Sequence, residues 1–203
     1  MKTNFDPLTH GYKFQNRFEF KGIKKLTSIF KNKLIYGMCG GMVFTALDYF
    51  FDQKKVPKFH HPSELTINYA KYLWRRQTES VSLSALIKLI YYALLPQRIS
   101  IRKSIENELP KALDLLLDNL PVPLIIIRSN FFQNPTHNHQ VLVTQMNYKN
   151  NVMEMVLYDP NHPQISPSII VDKDKKELFQ TTGELVRGFF VNKYQYRNSE
   201  QEY

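Results

Sequence analysis

Cysteine is almost missing from this chain, with Cys39 the one example in 203 residues. A single thiol excludes an intramolecular disulfide framework and any all-cysteine zinc site, and leaves the sulfur to packing or to chemistry. Glycine is scarce as well: there are seven, and three of them, Gly37, Gly40 and Gly41, flank that cysteine. Long apolar runs are lacking. The longest, Val81 to Leu95, is interrupted by Lys88 and serines and stops at Pro96, too short for a hydrocarbon core about 30 Å thick. Met1 to Lys25 has no basic start, apolar run and small-residue cleavage site of the secretory kind. Together these absences lead to the expectation of a soluble protein without a transmembrane segment, cytoplasmic or exported without a cleavable signal.

Acidic residues are outnumbered, 18 against 27 basic ones, for a formal charge of +9. The excess is scattered. Lys21, Lys24, Lys25, Lys31 and Lys33 make the densest run, followed by Lys54, Lys55 and Lys58, and neither run lies in an RNA- or DNA-binding module. A solvated basic face with weak attraction to anionic surfaces is therefore expected, and nucleic acid is not expected as a partner. Nothing in the sequence fixes an oligomeric state.

Apolar residues make up 43% and charged residues 22%, ordinary values for a folded globular chain. Tyr12, Phe14, Asn16, Phe18 and Phe20 alternate, which suits a short strand or an extended arm. Met42, Val43, Ala46, Leu47, Phe50 and Phe51 then recur at helical spacing and predict a helix from Cys39 to about Gln53. Further helices are predicted from Ser63 to about Thr78, from Ser82 to Leu94, and from a Ser100 cap through Leu113, Leu116, Leu117 and Leu120, with Pro110 kinking or restarting the last. After Pro121 the texture becomes β-branched. Strands are predicted at Val122–Ile127, His139–Met146, Val152–Tyr158, Ser168–Val171 and Arg187–Tyr194, the second and third forming a hairpin across Asn147–Asn151. The fold class is α+β: one domain over 1–203, helical over about 30–120 and a mainly antiparallel sheet over about 121–197.

A cysteine in the first turn of a helix lies near unpaired N–H groups and the positive end of the helix dipole, both of which favour thiolate. Flanking glycines would let a substrate backbone approach it. The base that such a nucleophile needs is found in His139, at the start of the apolar strand Val141-Leu142-Val143. If the two strands form a hairpin, Asp159, which follows Leu157-Tyr158, returns beside His139.

The runs Tyr36-Gly37-Met38-Cys39-Gly40-Gly41-Met42 and Ala46-Leu47-Asp48-Tyr49-Phe50, with Asn138-His139-Gln140-Val141-Leu142-Val143 and Tyr158-Asp159-Pro160-Asn161, resemble the papain-like cysteine peptidase superfamily, in particular its bacterial members. The resemblance spans about Phe14 to Val191. It implies a triad of Cys39 as nucleophile, His139 as base and acid, and Asp159 as the group that orients the imidazole. It also implies no cofactor and a peptide or protein substrate, cleaved at an amide or ester through a thioester. The side-chain amide that such enzymes place before the cysteine in the oxyanion hole is missing from Lys33–Met38; Asn16 is the candidate for that role and Asn32 the alternative.

Other readings stay open on the sequence alone: a transglutaminase-like acyltransferase on the same triad, and an idle papain-like fold kept as a binding module. His137 and His139, spaced to point the same way along a strand, could hold a metal with Asp159 or His162. His60 and His61 read as loop residues, Tyr69, Tyr72 and Trp74 as a core stripe, and Arg75 and Arg76 as surface charges, with the lining of a cleft for an acidic substrate as their alternative.

Overall fold

The computed structural model describes residues 1–19 and 35–199. Phe20, Asn32 and the lysine run from Lys21 to Lys33 lie outside the described residues.

An antiparallel six-stranded sheet carries the architecture, in the order β7-β6-β5-β4-β3-β8. Its strands are β3 (Val122–Ile127), β4 (His139–Lys149), β5 (Val152–Tyr158), β6 (Ser168–Asp172), β7 (Glu177–Gln180) and β8 (Gly188–Val191). The helices are α1 (Pro7–His10), α2 (Cys39–Phe51), α3 (Ile67–Ser80), α4 (Leu83–Leu94), α5 (Gln97–Lys103) and α6 (Leu109–Leu117). Two short strands, β1 (Phe18–Glu19) and β2 (Ile35–Tyr36), pair separately. The chain is thus α+β.

Alternation along the strands sends side chains to both faces. On one face Leu124, Ile126, Val141, Val143, Met155 and Leu157 pack under Leu109, Ala112 and Leu116 of α6. On the other, Leu142 and Tyr158 meet α2 and α3, while Ile125, Ile127 and Phe190 meet Ala85 and Tyr92 of α4. Helix α2 is buried from Gly40 to Tyr49 because α3, the sheet and the aromatic arm of Phe5, Tyr12 and Phe14 enclose it. Burying each large apolar side chain of this kind contributes about 1.5–3 kcal/mol.

Several boundaries follow from local chemistry. Asn150 and Asn151 take φ of 50° and 60°, the left-handed pair that a two-residue hairpin turn demands, so β4 and β5 extend to meet it. Ser82 caps α4 through the Ala85 N–H. The second long helix starts later than expected, because Thr66 and not Ser63 caps α3, on the Tyr69 N–H at 3.2 Å, while Pro62–Glu64 forms only a 3-10 turn. Ser100 is buried inside α5 and caps nothing; α5 begins after Pro96. Pro110 is absorbed by a π turn at Ser104–Glu108, after which α6 restarts with proline in its first turn. There the missing proline N–H breaks no ladder bond. Strand β7 was not expected, since Glu177–Gln180 is short and flanked by charge.

A buried ion pair fastens α2 to α3. Arg76, 1% exposed, places Nε 2.7 Å from Oδ2 of the fully buried Asp48, with its guanidinium 5.0 Å from the Phe44 ring centroid. Tyr72 and Tyr194 each donate a hydroxyl to the same carboxylate at 2.6 Å. This corrects the reading of Arg76 as a surface charge: the helical stripe Tyr69, Tyr72, Leu73 and Arg76 faces inward, and Asp48 supplies the anion that permits it. Arg75 does lie outside, and Trp74, at 48% exposure, points away from the core stripe it was expected to join.

Candidate functional site

Cys39 opens α2, and no side chain caps that helix end. The Met42 N–H closes the first turn on the Met38 carbonyl at 2.9 Å. The Gly41 N–H is taken by Gln77 Oε1 at 2.8 Å. The Cys39 and Gly40 N–H groups therefore have no acceptor within the helix. The Gln140 N–H donates to the sulfur at 3.4 Å, so the thiol sits at the end of β4. His139 is the first residue of that strand, and Asp159 follows the last residue of β5. Since Leu142 pairs with Tyr158, the two side chains converge: His139 Nε2 lies 2.5 Å from Asp159 Oδ1. The remaining ring nitrogen, Nδ1, makes no bond to the carboxylate, and the ring and the neighbouring Cys39 thiol shift each other's titration, the thiol downward and the ring upward.

The three groups hold one another in charged forms. Burial pushes the Cys39 thiol up, but the neighbouring His139, with the Gln140 and Gly40 N–H groups, brings it below its ordinary value. Burial pulls the His139 imidazole down, and Asp159 and then Cys39 raise it to about 9. Burial also pushes Asp159 up, but His139 and the Asn161 N–H, which donates at 2.8 Å, hold it below the usual carboxylate range. Both shifts favour the thiolate over the thiol and the imidazolium over the neutral ring.

Asn16 stands beside this centre. Its Oδ1 accepts from the Met38 N–H at 2.5 Å and its Nδ2 donates to Asn161 Oδ1 at 3.1 Å, which fixes the amide against the chain leading into Cys39. Gly37 makes that possible: a Cβ there would lie 2.6 Å from Asn16 Nδ2. The other two glycines serve packing. A Cβ at Gly40 would meet Ser80 Oγ at 1.9 Å, and one at Gly41 the Leu73 carbonyl at 2.5 Å. They let α2 approach α3 closely, so the expected opening of Gly40 and Gly41 toward a substrate backbone is corrected.

Cys39, His139 and Asn16 line a cleft of about 1100 Å³. Its lining is apolar at Val81, Leu86, Leu89, Ile125 and Leu185 and polar at Asn138 and Gln140. Behind the carboxylate runs a chain of polar contacts that the sequence did not disclose. Gln180 Nε2 donates to Asp159 Oδ2 at 3.1 Å and its Oε1 accepts from Arg128 at 2.9 Å; Arg128 in turn pairs with Glu184 at 3.2 Å. The one sequence hint was the spacing of Leu178 and Gln180, which puts both on the inward side of β7.

The metal reading on His137 and His139 fails on geometry. His137 is exposed and ends the 3-10 turn Pro135–His137, outside β4, while the His139 ring is committed to Asp159. Among the described residues Asp159, His162 and Glu184 do bring one ligand atom each within 4.8 Å of one another. His162 and Glu184 are already paired at 3.2 Å, and both Asp159 oxygens hold hydrogen bonds. His61 is a loop residue as expected and makes its contact with Ser63 at 2.7 Å.

Comparisons with protein-family models, curated proteins and solved structures return no match. The chemistry of the cleft thus has to be read from its own residues.

Proposed function

We propose that this chain is a papain-like cysteine hydrolase that cleaves an amide or ester bond through a thioester acyl-enzyme. The observation that carries this reading is the convergence in one cleft of the Cys39 thiol, which accepts from the Gln140 N–H at 3.4 Å, and the adjacent His139 imidazole, whose Nε2 is gripped by a buried carboxylate at 2.5 Å. The Cys39 thiolate attacks the carbonyl carbon and forms the C–S bond. The displaced electron pair rests on the carbonyl oxygen, toward the Cys39 N–H and Asn16 Nδ2 as the oxyanion donors. As the tetrahedral centre collapses, His139 gives its proton to the leaving amine or alkoxide and the acyl group stays on sulfur. Water, deprotonated by the now neutral His139, then releases the acid and restores the thiolate. Asp159 keeps the ring in the tautomer and orientation both steps require and stabilises its charged form.

The test is acid quenching of the protein during turnover of peptide and alkyl esters, followed by intact mass measurement. A mass increment equal to the acyl group, mapped to Cys39 and lost in Cys39→Ser, is expected. Iodoacetamide labelling no faster than that of a free thiol, unchanged by His139→Ala and with no acyl adduct, would refute the hydrolase and favour a binding module. Product formation with added primary amines in excess of hydrolysis would instead mark an acyltransferase.

A further inference from the structure

The apolar run that is too short to span a membrane has another use. Helix α4 carries two apolar faces. Ala85, Leu89 and Tyr92 pack on Ile125, Ile127 and Phe190 of the sheet. The opposite stripe, Leu83, Ile87, Ile90 and Leu94, follows i, i+4, i+7 and i+11 and is exposed to 74%, 60%, 41% and 57%. A helix apolar all round is ordinarily buried all round. At its C-terminal end the Phe131 N–H donates to the Ala93 carbonyl at 3.1 Å, which seats a loop tip there whose Phe132 is 92% exposed.

The charges on the α4 segment itself are basic, and acidic residues enter only at its flanks, at Glu79, Glu106 and Glu108. From Ser80 to Lys103 the chain contains Lys88, Arg98, Arg102 and Lys103 and no acidic residue. Lys88 is turned back to Glu108 at 3.0 Å and Arg102 pairs with Glu106 at 3.8 Å, but Arg98 is exposed, and Lys103 lies 5.6 Å over the ring of Tyr91, on the flank of the stripe. The Phe131–Phe132 loop, from Arg128 to Asn138, contains no acidic residue either.

We propose that the outer stripe of α4 and the Phe131–Phe132 tip dock this protein on an anionic lipid surface, with α4 lying in the plane of the interface. Apolar side chains on one side of a helix and basic ones at its margin are what an interfacial helix needs. A second copy is the weaker occupant, because it would bring +9 against +9, whereas anionic headgroups complement that charge. Docking in this orientation bears on the cleft, since Val81, Leu86 and Leu89 of the same segment belong to its apolar lining. The cleft then opens beside the lipid, and a substrate held at the membrane is favoured. The surface itself does not depend on turnover at Cys39.

Flotation of the full chain with vesicles tests this, using phosphatidylcholine alone and phosphatidylcholine mixed with phosphatidylglycerol. Flotation with the anionic vesicles, weakened by added salt, is expected. Ile87→Ser with Leu94→Ser should lower partitioning roughly tenfold or more, and Arg98→Gln with Lys103→Gln by about the same. Ile87, Leu94 and Arg98 are exposed and Lys103 is half-buried with its ammonium over Tyr91, so circular dichroism should be unchanged. Cys39→Ser should float like the parent, which separates this proposal from the hydrolase reading. Absence of flotation, equal binding to neutral vesicles, or no effect of these substitutions would overturn it. So would a dimer in sedimentation equilibrium that the serine substitutions dissociate without vesicle binding.

Discussion

Replacing Asp159 by Asn removes one charge from a buried position while leaving an oxygen to accept from His139 Nε2 and the Asn161 N–H. The effect on the ring follows from its surroundings. Burial pulls His139 down, and Asp159 is the largest of the groups that raise it to about 9, against an ordinary value of 6.5. With the carboxylate present the ring is about 97% protonated at about pH 7.5; without it, even at the ordinary value, the protonated share falls to about 9%. The thiolate that depends on this cation falls in step, so iodoacetamide labelling of Cys39 at about pH 7.5 should slow roughly tenfold, and the pH at which labelling sets in should move upward. The assay is labelling rate against pH by mass spectrometry, with circular dichroism to show that the variant folds. Stability should respond with a matching sign. The His139 contribution is complete below 6.5 and lost as pH rises through about 9. The Asp159 contribution is present above its ordinary 3.8 and lost as pH falls through its lower folded value. Both slopes should flatten in Asp159→Asn. A variant that labels at the parent rate with the same onset would refute the claim that this carboxylate sustains the ion pair.

Two further outcomes test the frame that holds the site. Arg76→Met should cost about 3–5 kcal/mol in urea denaturation, because it strands the Asp48 carboxylate in the core, whereas Arg75→Met, on the outside of the same helix, should stay within about 0.5 kcal/mol of the parent; equal small effects would refute the inward reading of Arg76. Gly40→Ala forces a Cβ to within 1.9 Å of Ser80 Oγ and should destabilise by about 1–3 kcal/mol with slower Cys39 labelling. Adding Ser80→Gly should recover part of both, and a single variant indistinguishable from the parent would refute the close approach of α2 to α3.

Much of the fold was legible because its signals are local. The apolar period around Met42 and Leu47 gave α2 with its first residue at Cys39, the Ser82 cap gave α4, and the β-branched run gave β3. Hairpin logic alone brought Asp159 to His139, since strands joined by a tight turn return along each other. Where several weak signals competed the reading slipped. Thr66 won the cap from Ser63, and Pro110 was met by a π turn rather than by a simple break.

What the sequence determined by itself was the set of side chains that meet in the cleft and the order of the elements that carry them, because periodicity and turn chemistry act over a few residues. Tertiary structure alone decided the rest. It paired Arg76 with Asp48, placed Gln180 behind Asp159, put Asn16 beside Met38, and turned Gly40 and Gly41 toward α3 instead of a substrate. Each of these joins residues remote in sequence or on different elements, and a contact of that kind leaves no period and no motif in the chain. Its geometry exists only once the helices have packed on the sheet.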